Sequence, residues 1–171
     1  MRYPSTRISD AADTFGGVTI PDPYRWLEDL DSPEVAAWVQ SQNAVTQDHL
    51  ATLPLREHYR SRLTELWNYP RTSLPAIEAD RLFYAHNTGL QRQAALYMRE
   101  AFEAPPRLVL DPNALWPDGS LSLSQYAPSP DARLLAYAVA EGGADWETIR
   151  IREVDTGTDL DDEVSWVRFS D

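Results

Sequence analysis

The sequence predicts a mixed fold in which an N-terminal helical segment is followed by antiparallel β-sheets. Three observations support this prediction. Apolar residues recur at helical spacing up to about residue 70, and beyond Pro75 their period changes to two. Turn-forming residues then separate short apolar runs at even intervals, which is typical of up-and-down sheets. We therefore predict a boundary between Tyr69 and Pro75.

Two helices are predicted in the N-terminal part. Ser32 suits a helix N-cap because its hydroxyl accepts a hydrogen bond from a free backbone amide, and Pro33 suits the first turn. The apolar stripe that follows is Val35, Trp38, Val39 and Val45. A second helix is expected to open at Pro54 and end before Pro70, with an apolar face of Leu55, Tyr59, Leu63, Leu66 and Trp67.

Seven strands are predicted after Pro75. They are Leu82 to His86, Ala95 to Arg99, Leu108 to Leu110, Leu121 to Tyr126, Leu134 to Ala140, Thr148 to Val154 and Val164 to Phe169. A turn, a strand and a later hairpin recur in this order in β-propeller blades, each of which is a four-stranded meander. Seven strands make one blade and much of a second. Because one or two blades cannot close a ring, we expect the chain to be part of a longer protein.

Composition and charge exclude several classes of protein. The chain has 171 residues, 43% apolar and 25% charged, with no cysteine, which is typical of a globular protein without disulfides or thiolate metal sites. Its fifteen cations are all arginine, and the net charge of −12 disfavours nucleic acid and anionic membranes as partners. No apolar run approaches the roughly 18 residues of a membrane span, and no signal peptide is evident. This predicts a cytoplasmic protein, or a periplasmic one if an export signal was removed.

No self-contained active site is visible in the sequence. The motifs G-x-S-x-G, G-x-G-x-x-G, Walker A and H-E-x-x-H are all absent. His58 and Ser61, with Glu57 and Glu65 nearby, permit a Ser-His-Glu interpretation. Residues three or four apart on one helix are commonly surface neighbours, and we favour a solvated face.

Two further patterns have a functional and a structural interpretation. The acidic run from Asp155 to Glu163 suggests calcium, but Leu160 stands where an EF-hand needs glycine and Trp166 where it needs glutamate. A hydrated acidic loop is therefore predicted. The many aromatic side chains suggest sugar stacking, but several lie at expected core positions, namely Trp38, Tyr59, Trp67, Tyr84, Tyr97 and Tyr137.

One dense polar and aromatic segment precedes the first helix: Asp22-Pro23-Tyr24-Arg25-Trp26-Leu27-Glu28-Asp29. It resembles the N-terminal signature of the prolyl oligopeptidase family of serine peptidases, and the pattern is nearest to that family's prolyl endopeptidase branch. Further matches follow in the family's order: Gln42-Asn43, Leu66-Trp67-Asn68-Tyr69-Pro70, Asn87-Thr88-Gly89-Leu90-Gln91, Leu110-Asp111-Pro112-Asn113, Asp118-Gly119-Ser120, Ala136-Tyr137, Asp145-Trp146 and Val167-Arg168-Phe169-Ser170. The resemblance covers essentially the whole chain.

The resemblance implies an architecture and an activity. Residues 1–70 would be the helical segment that packs on a split α/β-hydrolase domain, and residues 71–171 the start of a seven-bladed β-propeller. The family hydrolyses short peptides after proline without metal or cofactor. Its catalytic Ser, Asp and His would lie beyond Asp171, so this segment alone is predicted to be inactive. Its expected partners are small proline-containing peptides and the rest of a monomeric enzyme chain.

Two residues are candidates for substrate binding through the resemblance. Phe169 matches a propeller phenylalanine that lines the pocket for the substrate residue two before the scissile proline; the alternative is a ring packed in the blade core. Asp145 matches a carboxylate near the domain interface that faces an arginine of the catalytic domain. Its alternative is a turn residue after Gly142-Gly143, and the neighbouring Ala144 departs from the small polar residue expected there.

A hypothesis from a different class is a stand-alone, non-catalytic module that binds a peptide or glycan through its open sheet and aromatic side chains. It predicts a monodisperse, cooperatively folded chain with measurable ligand affinity. The enzyme hypothesis predicts instead that the isolated chain aggregates or is partly molten and turns over no proline-containing reporter.

Overall fold

Residues 3–169 are described by the computed structural model, and the chain divides into two units, one ending at Arg62 and one beginning at Leu63. The first unit contains a hairpin of β1 (Ala12–Phe15) and β2 (Val18–Pro21) and a 3-10 turn (Arg25–Glu28). Helix α1 (Pro33–Ala51) follows, and α2 (Arg56–Trp67) runs across the division. The sequence did not predict the hairpin, because all of its residues are exposed and no face shows apolar alternation.

The predicted helix start at Ser32 is confirmed. Its hydroxyl accepts from the backbone N–H of Glu34 at 3.3 Å, and Pro33 occupies the first helical position. Helix α2 begins two residues later than predicted, at Arg56, and ends at Trp67. The prediction that Tyr59 and Trp67 are core residues is wrong, because both are more than half exposed and α2 has no buried residue.

The polar and aromatic segment after β2 ties the first unit together. Arg25 forms ion pairs with Asp22, at 3.0 Å, and with Asp13 of β1. The indole N–H of Trp26 donates to the carbonyl of Arg7 at 3.0 Å, and the Arg7 guanidinium lies 4.7 Å from the Trp26 ring centroid. These residues thus have a structural role, because they connect the 3-10 turn with β1 and with the chain around Arg7.

The second unit contains two antiparallel sheets. The first comprises β3 (Arg71–Thr72), β4 (Ala76–Glu78), β5 (Arg81–Asn87), β6 (Ala95–Arg99) and β7 (Arg107–Leu110). Both β3 and β4 pair with β5, so together they fill one strand position that is interrupted around Pro75. Neither strand was predicted, because two or three residues are too few to establish a period. The sheet therefore has the four strand positions of a propeller blade.

A short helix, α3 (Pro112–Leu115), leads to the second sheet. This sheet is a four-stranded meander of β8 (Leu121–Pro128), β9 (Leu134–Glu141), β10 (Glu147–Glu153) and β11 (Asp159–Val167). All seven predicted strands are present. The prediction of an acidic loop is wrong for Asp159 to Glu163, because these residues form the first part of β11. The last strand also ends earlier than predicted, at Val167 and not at Phe169.

The hydrophobic core lies between the two sheets. Its fully buried side chains come from both blades and include Phe83, Leu96, Met98, Leu110, Leu135, Tyr137 and Val154. Burying each of the larger side chains contributes about 1.5–3 kcal/mol. Of the aromatic residues assigned to the core, Tyr137 is buried, while Trp38, Tyr84 and Tyr97 are only half-buried.

Three arginines link the blades through backbone carbonyls. Arg81 donates to Ala132 O at 3.1 Å, Arg107 to Val154 O at 2.8 Å and Arg152 to Val109 O at 3.0 Å. A planar guanidinium with several N–H donors suits these bridges better than an ammonium group does. The two sheets are therefore held by directional polar contacts as well as by apolar burial.

Candidate functional site

The candidate site lies at one end of the second sheet, where the β9–β10 loop, residues 142–146, meets the end of β11. Gly142 N donates to Ser120 O at 2.9 Å, which ties this loop to the turn before β8. Ser120 N in turn donates to the carboxylate of Asp118 at 3.0 Å, and this hydrogen bond lowers the pKa of Asp118. The loops at this end are thus held by backbone hydrogen bonds.

The end of β11 departs from regular strand geometry. Glu147 pairs with Val167, but the next pair is Ile149 with Val164, so the register shifts between them. Trp166, in this irregular stretch, has φ +60°, and Phe169, two residues after the strand, has φ +50°. A left-handed backbone costs about 1–2 kcal/mol for an L-residue, and an irregularity of this kind redirects side chains out of the sheet.

Arg168 contacts both residues that were candidates for substrate binding, Asp145 and Phe169. Its Nη2 donates to Oδ2 of Asp145 at 3.0 Å. Its guanidinium carbon lies 4.7 Å from the ring centroid of Phe169 and 5.3 Å from that of Trp146. The cation is therefore neutralised by one neighbour and placed over the rings of two others.

Two tryptophans extend the cluster. Trp146 and Trp166 meet edge to face with ring centroids 5.5 Å apart. Both also line an adjoining cavity of about 600 Å³, together with Leu121, Val139, Thr148, Arg150 and others. Trp146, Trp166 and Phe169 are 47%, 80% and 79% exposed, so this end of the sheet presents an aromatic surface to solvent. We call Asp145, Trp146, Trp166, Arg168 and Phe169 the aromatic end cluster.

The structure therefore brings Phe169 and Asp145 into one cluster through a shared contact. Within the described residues the Phe169 ring is exposed, and both interpretations of it, as a pocket residue and as a residue of the blade core, stay predictions. Asp145 is a loop residue, and its carboxylate is also ion-paired. Sequence reasoning missed Arg168 and Trp166. The run of bulky residues at the end of β11 is a sequence signal that could have pointed to them. The irregular register of β11, which brings these side chains together, cannot be predicted from the sequence.

The other patterns considered from the sequence form no catalytic centre. On α2, Glu57 pairs with Arg60 at 3.6 Å and His58 packs against Tyr59, as expected of surface neighbours. His86 shares a hydrogen bond of 2.8 Å with Thr72 on the adjacent strand. Within residues 3–169, no three His, Asp or Glu side chains are arranged to hold a metal ion, and no helix is both long and apolar enough to span a bilayer.

A second cavity, of about 580 Å³, lies on the first blade. Tyr84, His86, Tyr97, Arg99 and Phe102 are among the residues that line it. The rings of Tyr84 and Tyr97 stack with centroids 6.0 Å apart, and Arg99 Nε donates to the Tyr84 hydroxyl at 3.2 Å. In β5, Tyr84 alternates with Phe83, which is fully buried in the core. The cavity therefore lies on the face opposite to the packed one.

One motif of the resemblance serves the fold of the first blade. Asn87 Nδ2 donates to Gln91 O, Thr88 N to Gln91 Oε1 and Gly89 N to Asn87 Oδ1, at 2.8–2.9 Å. These bonds close the turn between β5 and β6. The motif is thus explained by turn geometry and not by contact with a ligand.

Another polar network joins the blades near the start of β8. Asn113 Nδ2 donates to Gln93 O at 3.0 Å, and Gln93 N donates back to Asn113 Oδ1 at 3.1 Å. The Gln93 side chain also bonds to Leu121 O and Leu123 N, both at 2.8 Å. This network fixes β8 beside the first blade, and β8 begins next to the aromatic end cluster.

Comparison with known proteins agrees with this architecture. Residues 3–171 match the family model described as "Prolyl oligopeptidase, N-terminal beta-propeller domain". A prolyl endopeptidase of Elizabethkingia meningoseptica is 36% identical over 170 residues, which are 99% of this chain and 24% of that protein. A dual function macrocyclase-peptidase of Galerina marginata is 34% identical, over 98% of this chain and 26% of that protein.

Solved structures give the same result. One comes from a study of two prolyl endopeptidases and the role of inter-domain dynamics in catalysis and specificity. It matches with a TM-score of 0.83 and 36% identity, over 96% of this chain and 24% of its own. Prolyl oligopeptidase B of Galerina marginata, bound to a 35mer hydrolysis and macrocyclization substrate, matches with a TM-score of 0.77 and 32% identity, over 99% and 27%. The chain therefore spans about a quarter of the length of these relatives.

Proposed function

Since this chain belongs to the prolyl oligopeptidase family and forms part of its N-terminal β-propeller, we propose that it is the N-terminal part of a serine peptidase that hydrolyses short peptides on the carboxyl side of proline. Family membership over 169 residues of the chain, 3–171, is the observation that carries this proposal. It favours the enzyme hypothesis over the stand-alone binding module. The prolyl endopeptidases and oligopeptidases among its relatives support the substrate class.

The parts of the chain have separate roles in this proposal. Residues 1–70 are the segment that packs on a split α/β-hydrolase domain, and residues 71–171 begin the propeller. The apolar side of α2, with Tyr59, Leu63 and Leu66 each more than half exposed, supports a packing role because an exposed apolar surface of this kind is typical of an interface. The half-buried tyrosine face of the first blade is proposed to pack against a further blade. The cytoplasmic location and the monomeric state stay predictions.

The contribution of this chain to the reaction is binding and selection, not bond breaking. The nucleophilic serine, its histidine and its aspartate are supplied by another part of the parent protein. The serine oxygen attacks the prolyl carbonyl while the histidine, oriented by the aspartate, takes the serine proton and passes it to the leaving amine; water then attacks the acyl-enzyme and releases the peptide acid and the serine. Phe169 is proposed to contact the side chain two residues before the scissile proline. Asp145 is proposed to face an arginine of the catalytic domain at the interface between the domains.

The experiment compares the full-length parent with the 171-residue chain. Both proteins are incubated with a reporter peptide that ends in proline p-nitroanilide, and a parent variant without its hydrolase serine serves as the control. We expect turnover by the parent alone. Turnover by the 171-residue chain would contradict the proposal, and so would a folded parent that does not turn over the reporter.

A further inference from the structure

Arg168 has contacts that an ordinary surface arginine lacks. Its Nη2 lies 3.0 Å from the carboxylate of Asp145, while its guanidinium lies over the rings of Trp146 and Phe169, at 5.3 and 4.7 Å. The ion pair joins residues 23 positions apart in the chain. The contact with Trp146 reaches the same loop. Arg168 therefore connects the segment after β11 with the β9–β10 loop by two kinds of interaction.

Phe169 depends on this arrangement for its place. It lies beyond the last strand, its backbone is left-handed, and its ring is 79% exposed. Within the described residues, the Phe169 ring lies against the guanidinium of Arg168. A guanidinium that is held by a carboxylate restrains the aromatic ring next to it.

We propose that Arg168 is a positioning residue for substrate selection, which holds the Phe169 ring in the orientation that receives the substrate side chain two residues before the scissile proline. This inference rests on the proposed function and gives a role to a residue to which the family resemblance assigned none. Asp145 fixes the guanidinium, and Trp146 supports it from the loop. Substrates of the preferred class carry an apolar or aromatic side chain at that position, because the Phe169 ring offers an apolar contact.

A positioning role and a merely structural role predict different kinetics. Arg168 is 42% exposed and lies outside the core, so its removal should leave the fold intact. Loss of ring orientation affects only substrates that reach the ring. It should therefore raise KM for those substrates and leave kcat unchanged, whereas general damage to the enzyme lowers kcat for every substrate.

The test uses the full-length parent with Arg168→Ala, Arg168→Lys and, as a matched control, Arg133→Ala, which removes an exposed cation from the opposite end of the same blade. Each variant is assayed with a prolyl reporter that ends before the pocket and with a longer one that carries phenylalanine two residues before proline. For Arg168→Ala we expect KM for the longer reporter to rise about three- to fivefold, as loss of a cation–π contact predicts. The shorter reporter should change less than about twofold.

Arg168→Lys should recover part of the lost affinity, because an ammonium group keeps the charge for the ion pair and the cation–π contact but not the planar guanidinium that stacks on a ring. Arg133→Ala should behave as wild type with both reporters. An equal change for both reporters with Arg168→Ala, or a kcat effect without a KM effect, would overturn the inference.

A second measurement separates this inference from the proposed function. Crystal structures of the parent and of its Arg168→Ala variant report the position of the Phe169 ring without any need for turnover. Displacement or disorder of the ring in the variant supports positioning, and an unchanged ring refutes it. Absence of turnover by the wild-type parent refutes the proposed function instead.

Discussion

The guanidinium of Arg152 forms a two-point ion pair with the carboxylate of Asp159, with Nε–Oδ1 at 2.7 Å and Nη2–Oδ2 at 2.8 Å. Arg152 on β10 faces Asp159 at the start of β11, and its side chain is only 9% exposed. The same guanidinium donates to Val109 O of the first blade and lies 5.7 Å from the ring centroid of Tyr137. This pair therefore holds a buried charge at the junction of the two blades.

Replacement of Asp159 should destabilise the propeller part. Asp159→Asn leaves the Arg152 cation buried without its partner, and we expect a loss of about 1–3 kcal/mol in the free energy of unfolding, because Asp159 itself is partly exposed. Denaturant unfolding of the full-length parent measures this. Asp161→Asn is the matched control, since Asp161 is exposed on the same strand. A loss for Asp161→Asn as large as that for Asp159→Asn would argue against the buried pair.

The same ion pair predicts a pH dependence. The hydrogen bond from Arg152 holds the pKa of Asp159 below its ordinary value. A carboxyl group whose pKa is lowered by folding contributes stability above its unfolded pKa, near 4, and loses that contribution as the pH falls through the folded pKa. The free energy of unfolding of the wild type should therefore fall more steeply below about pH 4 than that of Asp159→Asn. Parallel curves between pH 7 and pH 2 would contradict this assignment.

Gly89 is predicted to be intolerant of a side chain. Its φ is +149°, and a Cβ at this position would collide with Oδ1 of Asn68. Gly89→Ala should cost about 2 kcal/mol, mainly from backbone strain at this φ, since Oδ1 is the end of the flexible Asn68 side chain, which can turn away. Gly157→Ala is the control because its φ is also positive, at +71°, but its Cβ would meet open space. Thermal unfolding of the parent variants compares the two, and equal losses would show that a side chain strains the Gly89 backbone no more than an ordinary left-handed one.

Phe169→Ala tests the proposed binding residue. In the parent, this substitution should weaken affinity for peptides with a bulky residue two positions before proline. Hydrolysis of short peptides should stay nearly intact, because the lost contact binds the substrate equally well in the ground state and in the transition state. The expected loss is about 1–2 kcal/mol, or roughly five- to thirtyfold in KM. Phe102→Ala is the control, because Phe102 is similarly exposed but lies on the first blade. An equal loss for long and short peptides would refute the pocket assignment.

Much of the fold was predictable because its signals are local. The Ser32 cap and the period-two runs of β5, β6, β8 and β9 depend on neighbours a few residues away. Elements without such a signal were missed. The hairpin of β1 and β2 has no buried face, and β3 and β4 are too short to show a period.

The site was only partly predictable. Phe169 and Asp145 came from the family resemblance, and Arg168, which contacts both, was not identified. The acidic run was assigned to a loop because carboxylates favour solvent, yet Asp159 is drawn into a strand by Arg152. A pairing of this kind depends on which residues the sheet places opposite each other.

By itself, the sequence determined the order of helices and strands and membership of a family. It also determined that the spacing of apolar residues changes from helical to a period of two near residue 70. Each of these is a property of the chain read in order. Only the tertiary structure decided that Arg152 and Arg168 each meet an aspartate on a neighbouring segment. The physical reason is that strand register and the irregular end of β11 are set by hydrogen bonds between distant residues. A shift of one residue in that register would turn the same side chains to the other face of the sheet.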